Sequence, residues 1–208
     1  MPRRTSAARP TLTTRAFASA AEWEAWLAAH HATSPGLWIR LTKKGIKKGA
    51  AGREAAGGVH IEYAEILDLA LCHGWIDGQR KSNDERTFLQ KFTPRARRSL
   101  WSKINRERAT ALAKAGRMRP AGLAEIERAK ADGRWDAAYD SHATAEVPPE
   151  LAAALRRSPG ARRIFDTLDS RNRYAMIVRI QTAKRAETKA RRAADYVAML
   201  LRGERLHP

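Results

Sequence analysis

Every segment of this chain with an apolar period of two lies at or before Pro94, and beyond that residue apolar positions recur only at helical spacing. That switch limits the fold to a small sheet near the N-terminal part, covered by helices, followed by helices alone. Leu37, Ile39 and Leu41 alternate with Trp38, Arg40 and Thr42, the pattern of a half-buried strand. Residues 75–94 supply two more strands. Ile76, Gly78 and Arg80 alternate outward, Ser82, Asn83 and Asp84 carry turn chemistry, and Phe88, Gln90 and Phe92 alternate on the return. The expected class is α+β, predominantly helical, with an antiparallel sheet of about three strands.

The helices announce themselves by their ends. Ser19 followed by Glu22 has the form of a capping box, and Trp23, Trp26, Leu27 and His30 then share a face, which predicts a helix over residues 20–31. Tyr63, Ile66, Leu67, Ala70 and Leu71 form a second helix, stopped at Gly74. Ser99 is the expected cap of a third, which carries Trp101, Ile104, Arg108, Ala111, Leu112 and Ala115 and ends at Gly116. Pro120 opens a fourth, running to Gly133. Ser158-Pro159 starts a short helix with Phe165 and Leu168 inward, and residues 171–201 repeat small and apolar positions between Arg and Lys. The resulting division is a disordered basic arm over residues 1–15, an α+β domain over 16–140 and a helical C-terminal region over 141–208. The glycine- and lysine-rich stretch 43–58 is expected to be a loop.

Composition enters through charge. The 208 residues carry a formal net charge of +18 at pH 7, and two segments hold sixteen of these charges. Residues 79–108 have ten Lys/Arg against three acids, and residues 151–208 have fourteen against five. Such self-repulsion is relieved by an anionic partner: nucleic acid or another polyanion, or, more weakly, an anionic membrane surface. A hydrophobic share of 43% with six Trp argues for a folded globule, and the single Cys72 excludes an internal disulfide. No run reaches the roughly 20 apolar residues of a membrane span, and the first fifteen residues lack the apolar stretch of a secretory signal. The expected location is the cytoplasm.

Six motifs now stand together: WIDG at 75–78, TPR followed by SLWSKIN within 93–105, GRMRPAGL at 116–123, GRWDAAY at 133–139, VPPEL at 147–151 and AKRAETKARR at 183–192. In this order they resemble the YdeI/OmpD-associated family, also called bacteriocin-protection proteins, over nearly all of residues 17–201. Ala96 and Lys189 depart from the pattern at positions where arginine is expected. The resemblance implies an α+β fold and a stress-related protective role against bacteriocins or cationic peptides. A chain at +18 repels such peptides, so its direct ligand is expected to be an anion.

The expected polyanion surface comprises Arg95, Arg97, Arg98, Lys103 and Arg106 with Arg185, Lys189, Arg191 and Arg192, since phosphate contacts give affinity without sequence readout. A solvated surface from an arginine-biased composition is the plain alternative. A second hypothesis is an enzyme or small-ligand binder for an anionic metabolite, with a pocket around Trp75, Asp77, Arg95 and Trp101. The periodic positions of Trp75, Trp101, Phe88 and Phe92 favour core packing over base stacking. Cys72 and His73 are neighbours on a helix and diverge by about 100°, which argues against a catalytic dyad. The six histidines show no ligand spacing and the glycines no phosphate-loop pattern, so no metal, no cofactor and no catalytic residue is expected.

Overall fold

The computed structural model describes residues 11–44 and 61–208. Of the expected basic arm, residues 1–10 lie outside the described residues, as do residues 45–60 of the expected loop. The chain forms two compact units, the first of residues 1–99 and 109–127, the second of residues 100–108 and 128–208.

The first unit holds strands β1 (Thr14–Arg15), β2 (Leu37–Thr42), β3 (Trp75–Ser82) and β4 (Thr87–Pro94), and helices α1 (Ala20–His30) and α2 (Tyr63–Cys72). The sheet order is β1-β2-β4-β3. The expected three antiparallel strands are present, but the sheet is four-stranded and mixed, because β1 pairs parallel to β2 with Thr14 opposite Trp38. Two residues carry no readable period, and what holds them is backbone pairing, with Trp38 N–H donating to the Thr13 carbonyl at 2.9 Å.

Helix α1 is capped by Ser19, whose Oγ accepts from Glu22 N–H at 3.1 Å, while the Glu22 carboxylate reaches one residue beyond the capping-box position and accepts from Ala18 N–H at 2.6 Å. Helix α2 stops at Gly74, whose φ of 75° is the left-handed conformation that a side chain disfavours. The alternation of β2 holds, with Leu37, Ile39 and Leu41 buried. Against that face α1 sets an aromatic cluster. Trp23 stacks on Trp26 at 5.4 Å and meets Phe92 at 5.8 Å and Trp75 at 6.2 Å. Both buried indoles are satisfied: Trp23 Nε1 donates to the Ile66 carbonyl and Trp75 Nε1 to that of His31. Truncating Trp23 to Ala would cost about 3–5 kcal/mol.

The strand β3 is bulged between Asp77 and Arg80. Buried Gln90 of β4 explains how the bulge is held, since its amide donates to the Gly78 carbonyl at 2.9 Å and to that of Gln79 at 3.3 Å.

Helices α3 (Lys103–Lys114) and α4 (Pro120–Ala131) are divided between the units. The cap of α3 is Ser102 rather than Ser99: Ser102 Oγ accepts from Asn105 N–H at 3.2 Å, so Trp101 precedes the helix. The second unit continues with α5 (Pro149–Arg157), α6 (Pro159–Thr167), α7 (Ser170–Gln181) and α8 (Ala186–Leu201). Leu151, Leu155, Phe165, Met176, Ile180 and Leu200 form its core. Fully buried Asn172 ties down the segment after α8, accepting from Leu206 N–H and His207 N–H, both at 3.0 Å, and donating to the His207 carbonyl.

Candidate functional site

Charge in the first unit is sorted by element. Helices α1 and α2 carry Glu22, Glu24, Glu65 and Asp68 and no Lys or Arg. The four strands carry Arg15, Arg40, Arg80, Lys81 and Lys91 against one carboxylate, Asp77. Asp77 is occupied, accepting from Tyr63 Oη at 2.6 Å.

The pleat decides which cations share a face. Trp38 and Arg40 lie on the face opposite Leu37, Ile39 and Leu41. The register adds Lys91 and Leu89 of β4, directly across from Trp38 and Arg40, and Lys81 of β3, across from Leu89. The Lys81 ammonium sits 4.4 Å from the Trp38 ring centroid, so its side chain crosses the central strand and covers Leu89, which is only 6% exposed. The contacts of α1 and α2 described above fall on the other face, at Phe92 and Asp77. Arg80 belongs to that other face, where its guanidinium lies 3.6 Å from the Phe88 ring centroid.

The turn joining β3 to β4 is built by Asp84. Its carboxylate accepts from Arg86 N–H at 2.8 Å, Thr87 N–H at 2.6 Å and the Thr87 hydroxyl at 2.7 Å. The hydroxyl above all, then the Arg86 amide, holds its pKa down at about 2.

Among the residues expected at a polyanion surface, Arg95 is 5% exposed and does not belong to an exposed cationic face. Its backbone N–H donates to the Gly74 carbonyl at 3.0 Å. Arg97 and Arg98 are exposed in the first unit. In the second, Lys103 pairs with Asp140 at 2.6 Å and Arg106 donates to the Trp135 carbonyl. Arg185 is exposed at the start of α8, Lys189 is half-buried, Arg191 faces Asp195 at 3.9 Å and Arg192 donates to the Arg179 carbonyl. Of the expected pocket, Trp75 is packed among Trp23 and Trp26. Trp101 belongs to the second unit, edge-on to Trp135 at 4.8 Å. Sequence reasoning left Trp38, Arg40, Lys81 and Lys91 out of the site, although the period of two already places Trp38 and Arg40 on the outward face.

In the second unit three side chains converge on Asp140, one of them, Lys103, from the SLWSKIN motif. Its carboxylate accepts from Lys103 Nζ and, at 2.9 Å, from Gln181 Nε2, and its carbonyl accepts from Tyr174 Oη at 2.9 Å. Burial, with Tyr139 and Asp140 nearby, pushes the Tyr174 hydroxyl up to about 12, so it serves as a donor. In the first unit the Cys72 thiol is raised, chiefly by burial, which leaves it protonated and a poor nucleophile. His73 is held below its ordinary value by burial, then by His31, whose ring lies 5.4 Å away. No group of three metal-ligating side chains is present among the described residues, and no helix there is long and apolar enough to cross a membrane.

Comparison with known proteins gives two family matches. Neither a curated protein nor a solved structure matches the chain. The family model described as "Bacteriocin-protection, YdeI or OmpD-Associated" matches residues 144–203, so the resemblance drawn from the motifs is supported in the C-terminal part. A domain of unknown function, DUF8412, matches residues 15–125, more than half of the sequence. The chain therefore belongs to the DUF8412 family, and its residues 144–203 are similar to the YdeI/OmpD-associated, bacteriocin-protection family.

Proposed function

We propose that this protein binds polyanions, nucleic acid foremost, through the outward face of its sheet. The observation that carries the reading is the sorting of charge between the strands and helices α1 and α2, with five cations and one carboxylate on the strands and four carboxylates and no Lys or Arg on the two helices. A composition bias alone would scatter both signs over all elements. A one-signed face focuses the field and concentrates a phosphate backbone. Exposed Arg97 and Arg98 extend the supply of cations in the same unit. The description of the C-terminal family supports a protective role against bacteriocins, and anion binding is the physical activity proposed to underlie it. The alternative, a small-metabolite pocket, has less support: Asp77 is taken by Tyr63 and Trp75 by the aromatic cluster.

The test is fluorescence anisotropy of a labelled oligonucleotide over a salt series. The reading expects a linear log–log salt dependence, and Arg40→Gln with Lys81→Gln and Lys91→Gln lowers the slope for a single strand by about 2. Changing Arg185, Arg191 and Arg192 to Gln has a smaller effect, since Arg191 and Arg192 already have partners. No binding at low salt refutes the proposal.

A further inference from the structure

We infer that the outward sheet face binds single-stranded nucleic acid, with an unpaired base stacking on Trp38; this rests on the polyanion reading and adds the class of partner. Trp38 is half-buried on a central strand, so its ring is held by the sheet rather than by a loop. Its cross-strand partner is Lys91, and the Lys81 ammonium lies 4.4 Å from its centroid. Arg40 and Lys81, one strand to either side of Leu89, have backbones about 10 Å apart. Arg40 Nε is buried with no hydrogen-bond partner among the described residues. One aromatic ring is thus bracketed by three cations on a strand face that carries no carboxylate among the described residues.

That arrangement is the chemistry of a stacking platform inside a phosphate-tracking groove. Each base offers a π face, and Lys81, displaced from the ring, moves its ammonium to the adjoining phosphate. A duplex keeps its bases stacked and unavailable to Trp38, so the ring contributes only with single strands. A membrane would need apolar side chains projecting about 5–10 Å into the headgroup region. Here Leu89 is buried and Trp38 lies under Lys81.

The experiment compares the full chain binding labelled oligo(dT) of about 12 nucleotides with an abasic sugar-phosphate oligomer of equal length, a duplex and phosphatidylserine vesicles. The expected result is oligo(dT) bound about tenfold more tightly than the abasic oligomer. Trp38→Ala abolishes that ratio while leaving abasic binding unchanged, and Trp38→Phe keeps most of it. A ratio near one in the unaltered protein overturns the inference without variants. So does Trp38→Ala weakening both oligomers alike, which would make Trp38 a support of the sheet, and so does a preference for vesicles. These outcomes leave polyanion binding standing; failure of every polyanion to bind at low salt removes that reading as well.

Discussion

Gly122→Ala inverts the usual effect of an alanine in a helix. Gly122 sits in the first turn of α4, where a substituted Cβ would lie 2.3 Å from the Cys72 carbonyl oxygen and 2.7 Å from that of Leu71. Carbon and oxygen rarely approach closer than about 3.3 Å, so the start of α4 must retreat from the end of α2 by roughly 1 Å. Both obstructing atoms are backbone, and the Cys72 carbonyl also accepts from Arg119 N–H at 3.1 Å. Overpacking of this kind costs about 3 kcal/mol, whereas the helix gains about 1 kcal/mol from replacing glycine. The net expectation is a loss of about 2 kcal/mol. Gly160→Ala is the control, because its Cβ would meet only the Leu201 side chain, at 3.2 Å, which can turn aside. Urea unfolding followed by tryptophan fluorescence reads both, with Trp23, Trp26, Trp38 and Trp75 reporting on the first unit. If Gly122→Ala is as stable as the parent, the close approach of α4 to α2 is wrong.

Acidification should weaken the fold through His73. Its folded pKa lies below the ordinary 6.5, so the unfolded chain takes up the proton first, and stability present above pH 6.5 is lost as pH falls. Neither ring nitrogen has a hydrogen-bond partner among the described residues, so His73→Leu should flatten urea midpoints measured between about pH 7 and pH 5. Asp84→Asn should lower the midpoint near neutrality and lose its effect as pH falls through about 2, because the depressed carboxylate stabilises the turn only when ionised. Asn172→Ala strands two half-buried N–H groups after α8; a loss of about 1–2 kcal/mol and faster hydrogen exchange at Leu206 and His207 are expected.

Elements that advertise both ends and a period were legible. Helix α1, the strand β2 and the stop at Gly74 each follow from a cap, an alternation or a glycine. What escaped was decided by partners distant in sequence. Two residues of β1 become a strand only because β2 offers an edge. Ser99 is the cap expected from the sequence, but the bridge between Ser102 and Tyr139 fixes the chain so that the helix starts from Ser102. Helix α5 opens on consecutive prolines and is not marked as a helix by any cap in the sequence, although Leu151 and Leu155 are spaced for a buried face. The break between α7 and α8 at residues 182–185 interrupts a stretch that reads as continuous. At the candidate site the charge was visible as an excess along the chain, but the gathering of Arg40, Lys81 and Lys91 on one face needed the pairing of β4 with β2 and β3.

The same sheet also avoids becoming a template for aggregation. Its outermost strands are β1, with two residues, and β3, with a bulge and the adjacent cations Arg80 and Lys81. A short edge, a kinked edge and like charges each discourage another chain from adding a strand. Beneath β1 lies the regular, six-residue β2 with its buried Leu37, Ile39 and Leu41. Thr14 and Arg15 therefore act as a stopper on the sheet's most adhesive border, and removing them would leave an edge open to further copies of the chain.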